Sequence, residues 1–156
     1  MANIEGLGRD IVRHVKKIAL VPYSASEMFK LVDDIEAYPQ FLPWCTSAEI
    51  LDRTSNTVEA TLELTKGTTS KAFTTRNTLI ADTSIAIELL GGPFRCLSGG
   101  WCFDLLGDDG CKVTLDLEFE FENRVVDMMI GSFFEETCKS LVKAFTDRAE
   151  QVYGPR

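Results

Sequence analysis

The stretch CKVTLDLEFEFE, residues 111–122, limits the fold more than any other part of the chain. Val113, Leu115, Leu117, Phe119 and Phe121 alternate without interruption with Lys112, Thr114, Asp116, Glu118, Glu120 and Glu122. Successive side chains of a strand point to opposite faces, so this segment has one dry face and one wet face. Such a strand belongs to an antiparallel sheet covered on a single side. A cover follows directly in the chain. Val126, Ile130, Phe133, Phe134, Cys138, Leu141, Val142, Phe145, Ala149 and Val152 form one wide stripe at helical spacing over residues 125–151 and just beyond. Glu135, Glu136, Lys139, Lys143, Asp147 and Glu150 occupy the other face. At 1.5 Å per residue such a helix is about 40 Å long, enough to lie across a whole sheet.

The rest of the chain supplies that sheet. Residues 17–22, KIALVP, read as a strand stopped by Pro22. Ser24 with Glu27 forms a capping box, and Tyr23 with Met28 is placed as a hydrophobic staple. Met28, Phe29, Leu31, Val32 and Ile35 then follow helical spacing, and Pro39 is expected to end that segment. Val58, Ala60, Leu62 and Leu64 alternate with polar neighbours. Phe73, Thr75, Asn77 and Leu79 share the face of a following strand, Ile85, Ile87 and Leu89 that of another, and Leu97, Trp101, Phe103 and Leu105 that of a third. Gly67 and the GDDG at 107–110 mark turns. The order is strand, one or two short helices, about six strands and a long helix, which is an α+β fold with its helices on one side of an antiparallel sheet. A strongly twisted sheet of this size can curl around the helix, leaving either a packed core or an internal cavity.

Composition narrows the function. The chain has 156 residues and a net charge of −8. It lacks the basic surface of a nucleic-acid binder, and direct DNA binding is not expected. Its one basic cluster, RDIVRHVKK at 9–17, reads as a solvated chain start, and residues 1–12 as a frayed extension ahead of a single domain over 13–156. No run approaches the roughly 18 apolar residues of a membrane span, and the start lacks the features of a signal peptide, so a cytoplasmic protein is expected. Five cysteines then read as free thiols. Cys96 and Cys102 on one strand would stand roughly 20 Å apart, too far to share a metal. With a single histidine, His14, there is no Ser/His/Asp set, and the carboxylates from Asp116 to Glu122 lie about 7 Å apart on an exposed face. No catalytic residue, metal site or cofactor is expected.

Two features favour a cavity. Thr75 and Asn77 fall on an inward face beside Phe73 and Leu79, and a mostly apolar pocket with a few polar groups is how ligand sites are built. Glycines crowd GGPFRCLSGGW, where they mark a bulge, a bend or a close approach. Local backbone bonds for Thr75 and Asn77, with glycines that only bend the sheet, explain the same residues. Spacing alone leaves both readings open.

Five segments in order, YPQFLPWC, FTTRN, GPFRCLSGGW, CKVTLDLEFEF and AFTDRAEQVYG, carry a family resemblance from about Lys17 to Gly154. Together they resemble the coenzyme Q-binding START-like proteins of the SRPBCC group, and most of all the bacterial RatA-like ribosome-association toxins. The resemblance implies a helix-grip fold of the START/Bet v 1 type. It implies that ubiquinone or a similar polyprenyl lipid is held in an internal cavity, in support of respiration as a carrier or chaperone, with transient contact with the inner membrane surface. The alternative it implies is binding of the large ribosomal subunit that blocks subunit association, for which Arg13, Lys16 and Lys17 are the candidate contacts. Cyclases also use this fold, but no general base with a partner stands out, so a non-enzymatic role is expected.

Residue by residue, the resemblance places Phe41, Leu42 and Trp44 at the cavity mouth. It places Phe73, Leu89, Pro93, Phe94, Leu97 and Trp101 on the sheet side, and Phe134, Leu141 and Phe145 on the helix side. Thr75 and Asn77 would donate to a quinone carbonyl, and Trp44 or Trp101 would stack on its ring. The oddly apolar YPQFLPWC, with two prolines, would then be a stiff lid: either a plug or a gate.

Overall fold

The computed structural model describes residues 11–156. The strands are β1 (Val12–Val21), β2 (Cys45–Arg53), β3 (Thr57–Lys66), β4 (Thr69–Ile80), β5 (Ser84–Gly91), β6 (Phe94–Leu106) and β7 (Gly110–Phe121). They form one antiparallel sheet of seven strands in the order β1-β7-β6-β5-β4-β3-β2. Helix α1 (Ala25–Asp33) and a 3-10 turn (Ile35–Gln40) carry the chain from one sheet edge to the other. After β7, a helical turn (Arg124–Val126) and a π-helical turn (Asp127–Gly131) lead into α2 (Ser132–Tyr153). The sheet curves around this helix, the helix-grip arrangement expected from the sequence.

The β7 pattern does what its alternation requires. Val113, Leu115 and Phe119 are fully buried in one core with Phe134, Cys138, Phe145 and Ala149 of α2, and the Phe119 and Phe134 rings meet at 4.9 Å. Each such phenylalanine or leucine contributes about 1.5–3 kcal/mol on leaving water. The capping box is formed: Ser24 Oγ accepts from the Glu27 amide at 3.1 Å, and Glu27 Oε1 accepts from the Ser24 amide at 2.9 Å.

Four expectations need correction. The first strand starts at Val12, not Lys17, because its residues pair one by one with β7 from Val12–Glu120 to Val21–Cys111. The basic cluster is therefore not a loose chain start. Arg13 turns inward and bridges Asp127 at 2.8 Å and Glu135 at 3.0 Å. Of the extension expected over residues 1–12, residues 1–10 lie outside the described residues. Pro39 does not end the first helix. Helix α1 stops at Asp33, and Pro39 sits inside the 3-10 turn, whose φ a proline ring already matches. Finally, Leu105 and Val152 follow the apolar parity of their elements but stand 77% and 49% exposed; Leu105 is still paired with Cys111 of β7 but lies beyond the last β5 partner of β6, Ser84–Cys102.

The glycines of β6 mark close approach between strands. A Cβ on Gly99 would lie 2.0 Å from the Asp116 carbonyl oxygen, and one on Gly100 would lie 2.0 Å from that of Ile85. Both have positive φ, +123° and +154°. Only glycine lets β6 bend here with β5 and β7 so near.

The register also gathers several connections at one end of the sheet. Cys45 opens β2 there, β3 and β4 turn at Lys66–Thr69, β5 and β6 turn at residues 91–94, and β7 ends at Phe121. The helical segment starts from the same end.

Candidate binding cavity

Between sheet and helix lies a cavity of about 80 Å³. Strands β3 to β7 supply Ala60, Leu62, Phe73, Thr75, Asn77, Ile87, Leu97, Trp101 and Leu117 to its wall. Helix α2 supplies Phe134, Thr137, Cys138, Leu141 and Phe145. Ile35, Tyr38 and Trp44 close it from the segment that joins α1 to β2.

The cavity brings together Trp44, Phe73, Thr75, Asn77, Leu97, Trp101, Phe134, Leu141 and Phe145 of the candidate residues. Phe41, Leu42, Leu89, Pro93 and Phe94 do not line it. Phe41 packs edge-on against two lining residues, its ring 5.1 Å from Phe145 and 6.1 Å from Tyr38, with the Arg148 guanidinium 5.0 Å from its ring centre. Leu42 is 1% exposed, turned into the core by the bond from its amide to the Tyr38 carbonyl at 2.9 Å. Leu89 is half-buried against the core. Pro93 is buried, and its carbonyl accepts from the Glu122 amide at 2.8 Å. Phe94 stacks on Phe121 at 4.7 Å and meets Phe134 at 5.3 Å. The apolar octet thus divides, with Leu42 as core and Trp44 as cavity wall.

Several lining residues escaped the assignment made by resemblance. Ala60, Leu62, Ile87, Leu117 and Cys138 were legible as inward positions from strand alternation or from the helix stripe. Thr137 is polar, but it lies three residues after Phe134 and four before Leu141, on the buried side of the helix.

The wall is apolar with four polar interruptions. Thr75 Oγ1 donates to Asn77 Oδ1 at 3.3 Å, and both residues are buried. Among the described residues, the Asn77 NH2 and the Thr137 hydroxyl enter no hydrogen bond with protein. Trp44 Nε1 is buried with no partner at all. The Asn77 NH2 and the Thr137 hydroxyl are thus free to bond a polar guest, whereas the Trp44 N–H, with almost no accessible surface, carries an unpaired cost of roughly 1–3 kcal/mol. Tyr38 differs: its hydroxyl donates to the Val32 carbonyl, and burial pushes its phenol well above the usual range. Burial, then Glu135, also holds the Cys138 thiol far above its ordinary pKa, so it stays neutral and non-nucleophilic.

The volume sets a limit. A cavity of about 150 Å³ admits benzene, so about 80 Å³ does not hold a quinone ring unless the wall moves. The half-buried members of the wall, Trp44, Leu62, Ile87 and Leu141, are the ones with room to do so.

A curved antiparallel sheet gripping one long helix around an apolar cavity defines the START/Bet v 1-like class. Comparison with known proteins agrees. The chain belongs to the family described as polyketide cyclase / dehydrase and lipid transport, which matches residues 21–146. The persistence and stress-resistance toxin PasT of Escherichia coli O6:H1 is 43% identical over 94% of this chain and 92% of its own length. The ribosome association toxin RatA of Escherichia coli K12 is 42% identical over the same shares. The coenzyme Q-binding protein COQ10 homolog B of Xenopus laevis is 27% identical over 85% of this chain and 56% of its own length. Among solved structures, a START superfamily protein from Mycobacterium smegmatis superposes with a TM-score of 0.75, at 28% identity, over 89% of this chain and 98% of that one. A Streptomyces aromatase/cyclase shares the fold at 20% identity and a TM-score of 0.78, over 90% of this chain and 94% of that one.

Proposed function

We propose that the protein binds a polyprenyl quinone such as ubiquinone, or a lipid of similar shape, as a non-enzymatic carrier or chaperone. One observation carries this reading: the polar side chains of Thr75, Asn77 and Thr137 stand in the wall of an otherwise apolar cavity, and among the described residues the Asn77 NH2 and the Thr137 hydroxyl have no protein partner. Apolar walls suit an isoprenoid or acyl tail, whose burial contributes about 25 cal/mol per Å² before ordering costs. The polar groups suit the carbonyl oxygens of a head group. Trp101, with Phe145 edge-on at 5.3 Å, offers an aromatic face for a ring. The distant likeness to a coenzyme Q-binding protein supports the same ligand class. Native mass spectrometry of protein purified without detergent tests the reading. A bound quinone or lipid is expected; repeated recovery of empty protein after incubation with quinone-containing membranes would refute it.

A second reading is association with the large ribosomal subunit, favoured by the name of the RatA relatives. A net charge of −8 opposes RNA contact through the general field. Arg13 is committed to Asp127 and Glu135, so among the described residues the exposed Lys16 and Lys17 are the candidate contacts left in the basic cluster. Cosedimentation with large subunits that falls on Lys16→Glu with Lys17→Glu would support this role. Its absence at physiological salt would remove it.

A further inference from the structure

The end of the grip where the helix begins carries an unusual surface. Val125, Met128 and Met129 stand 65%, 80% and 47% exposed within two consecutive helical turns. Single exposed apolar residues are ordinary, but three adjacent ones on one projection are not. The π-helical turn explains how they arise. Its wider turn buries Asp127 and Ile130 and leaves both intervening methionines outside. Arg13 fixes that turn from β1 through Asp127, so the projection is held in place.

Cations without carboxylate partners surround it. The Lys66 ammonium, at the β3–β4 turn, reaches across to the Met129 carbonyl at 3.5 Å and lies 5.8 Å from the Phe133 ring centre. Lys71 shares its concave face, paired in register with Leu64. Arg124 precedes Val125 directly. Among the described residues, Lys66, Lys71 and Arg124 form no ion pair. Most carboxylates at this end already have cationic partners: Asp127 and Glu135 share Arg13, Glu135 also meets Lys139 at 3.2 Å, and Glu120 meets Arg95 at 3.2 Å. Among the described residues, Glu122, which is exposed, and Glu63, which accepts from Thr46 Oγ1, form no ion pair.

We propose that Val125, Met128 and Met129, ringed by Lys66, Lys71 and Arg124, dock this end of the protein onto an anionic lipid bilayer. Flexible apolar side chains would enter the head-group boundary while the cations meet lipid phosphates. The net negative charge of the molecule keeps its other faces away from the same surface and so sets the orientation. Trp44 and Phe134 of the cavity wall lie beside this end: the Thr65 amide, next to Lys66, donates to the Trp44 carbonyl at 2.9 Å. The proposal deepens the lipid reading above by naming the face through which cargo would pass, yet docking needs no cargo.

The test is cosedimentation with vesicles of phosphatidylcholine alone and of phosphatidylcholine mixed with phosphatidylglycerol, both free of quinone. Binding to the mixed vesicles only is expected, weakening as salt is raised. Met128→Asp with Met129→Asp should lose at least about tenfold in affinity, since both chains would otherwise be buried in lipid. Lys66→Gln and Arg124→Gln should each lose about fivefold. Thermal unfolding should stay close to that of the parent for all of these exposed substitutions. Equal binding to neutral vesicles, no binding to anionic ones, or unchanged binding by the variants would overturn the proposal. So would variants that still bind vesicles but lose cosedimentation with large ribosomal subunits. Mass spectrometry of the parent protein separates this from the cavity reading: cargo without docking defeats only the docking surface, and docking without cargo defeats only the cavity ligand.

Discussion

Replacing Thr75 with Val and Asn77 with Leu separates a ligand-reading wall from a structural one. Both side chains are more than nine-tenths buried, and their one mutual contact is long, at 3.3 Å. If that pair served stability, its loss would cost about 1 kcal/mol for the bond and more for any stranded partner. No other hydrogen-bond partner is present to strand, and both replacements keep the shape nearly constant. Replacing both ends of a buried bond by apolar groups of the same shape is close to neutral or stabilising. The double variant is therefore expected to unfold within about 1 kcal/mol of the parent, or later. Ligand affinity should behave differently. Two head-group bonds at about 0.5–1.5 kcal/mol each amount to a loss of roughly 5-fold to 150-fold. Both tryptophans of the chain, Trp44 and Trp101, line the cavity, so their fluorescence reports quinone entry directly. Denaturant titration and fluorescence titration on the same samples decide the matter. A large loss of stability would show that Thr75 and Asn77 hold the sheet together, and unchanged affinity would show that they do not read the guest.

Further outcomes follow from the same geometry. Leu42→Ala should destabilise by about 2–5 kcal/mol in denaturant unfolding, as a fully buried leucine does, whereas Trp44→Ala should cost less stability and more ligand affinity. Arg13→Ala strands the buried Asp127 and should cost about 1.5–3 kcal/mol, visible as a lowered unfolding midpoint and faster amide exchange at the π-helical turn. Acid unfolding should show the Glu27 carboxylate, which Arg156 and then the Ser24 cap lower to about 2. Its folded pKa is depressed, so its contribution is complete above about 4.5 and disappears as pH falls towards about 2. Because Glu27 is partly solvated, that contribution is at most about 1 kcal/mol, and Glu27→Gln should flatten the stability profile across this window.

Periodicity by itself determined the architecture. Residues 111–122 alternate so strictly that no other element accommodates them, and the stripe from Val126 to Ala149 identified the gripping helix. Both signals are local, because a strand or helix displays its buried face at a fixed spacing along the chain. The inward positions of Thr75 and Asn77 were legible for the same reason. Tertiary structure decided what those inward faces meet. Leu42 and Trp44 are two residues apart in one apolar loop, yet one fills the core and the other walls the cavity, because the 3-10 turn through Pro39 rotates the first inward. Arg13 looked like part of a basic surface until β1 was placed beside the helix start, where Asp127 and Glu135 claim it across more than a hundred residues of chain. Whether a face that is apolar by pattern becomes core, cavity or exposed projection depends on what the fold sets opposite it, and spacing along a chain carries no record of that.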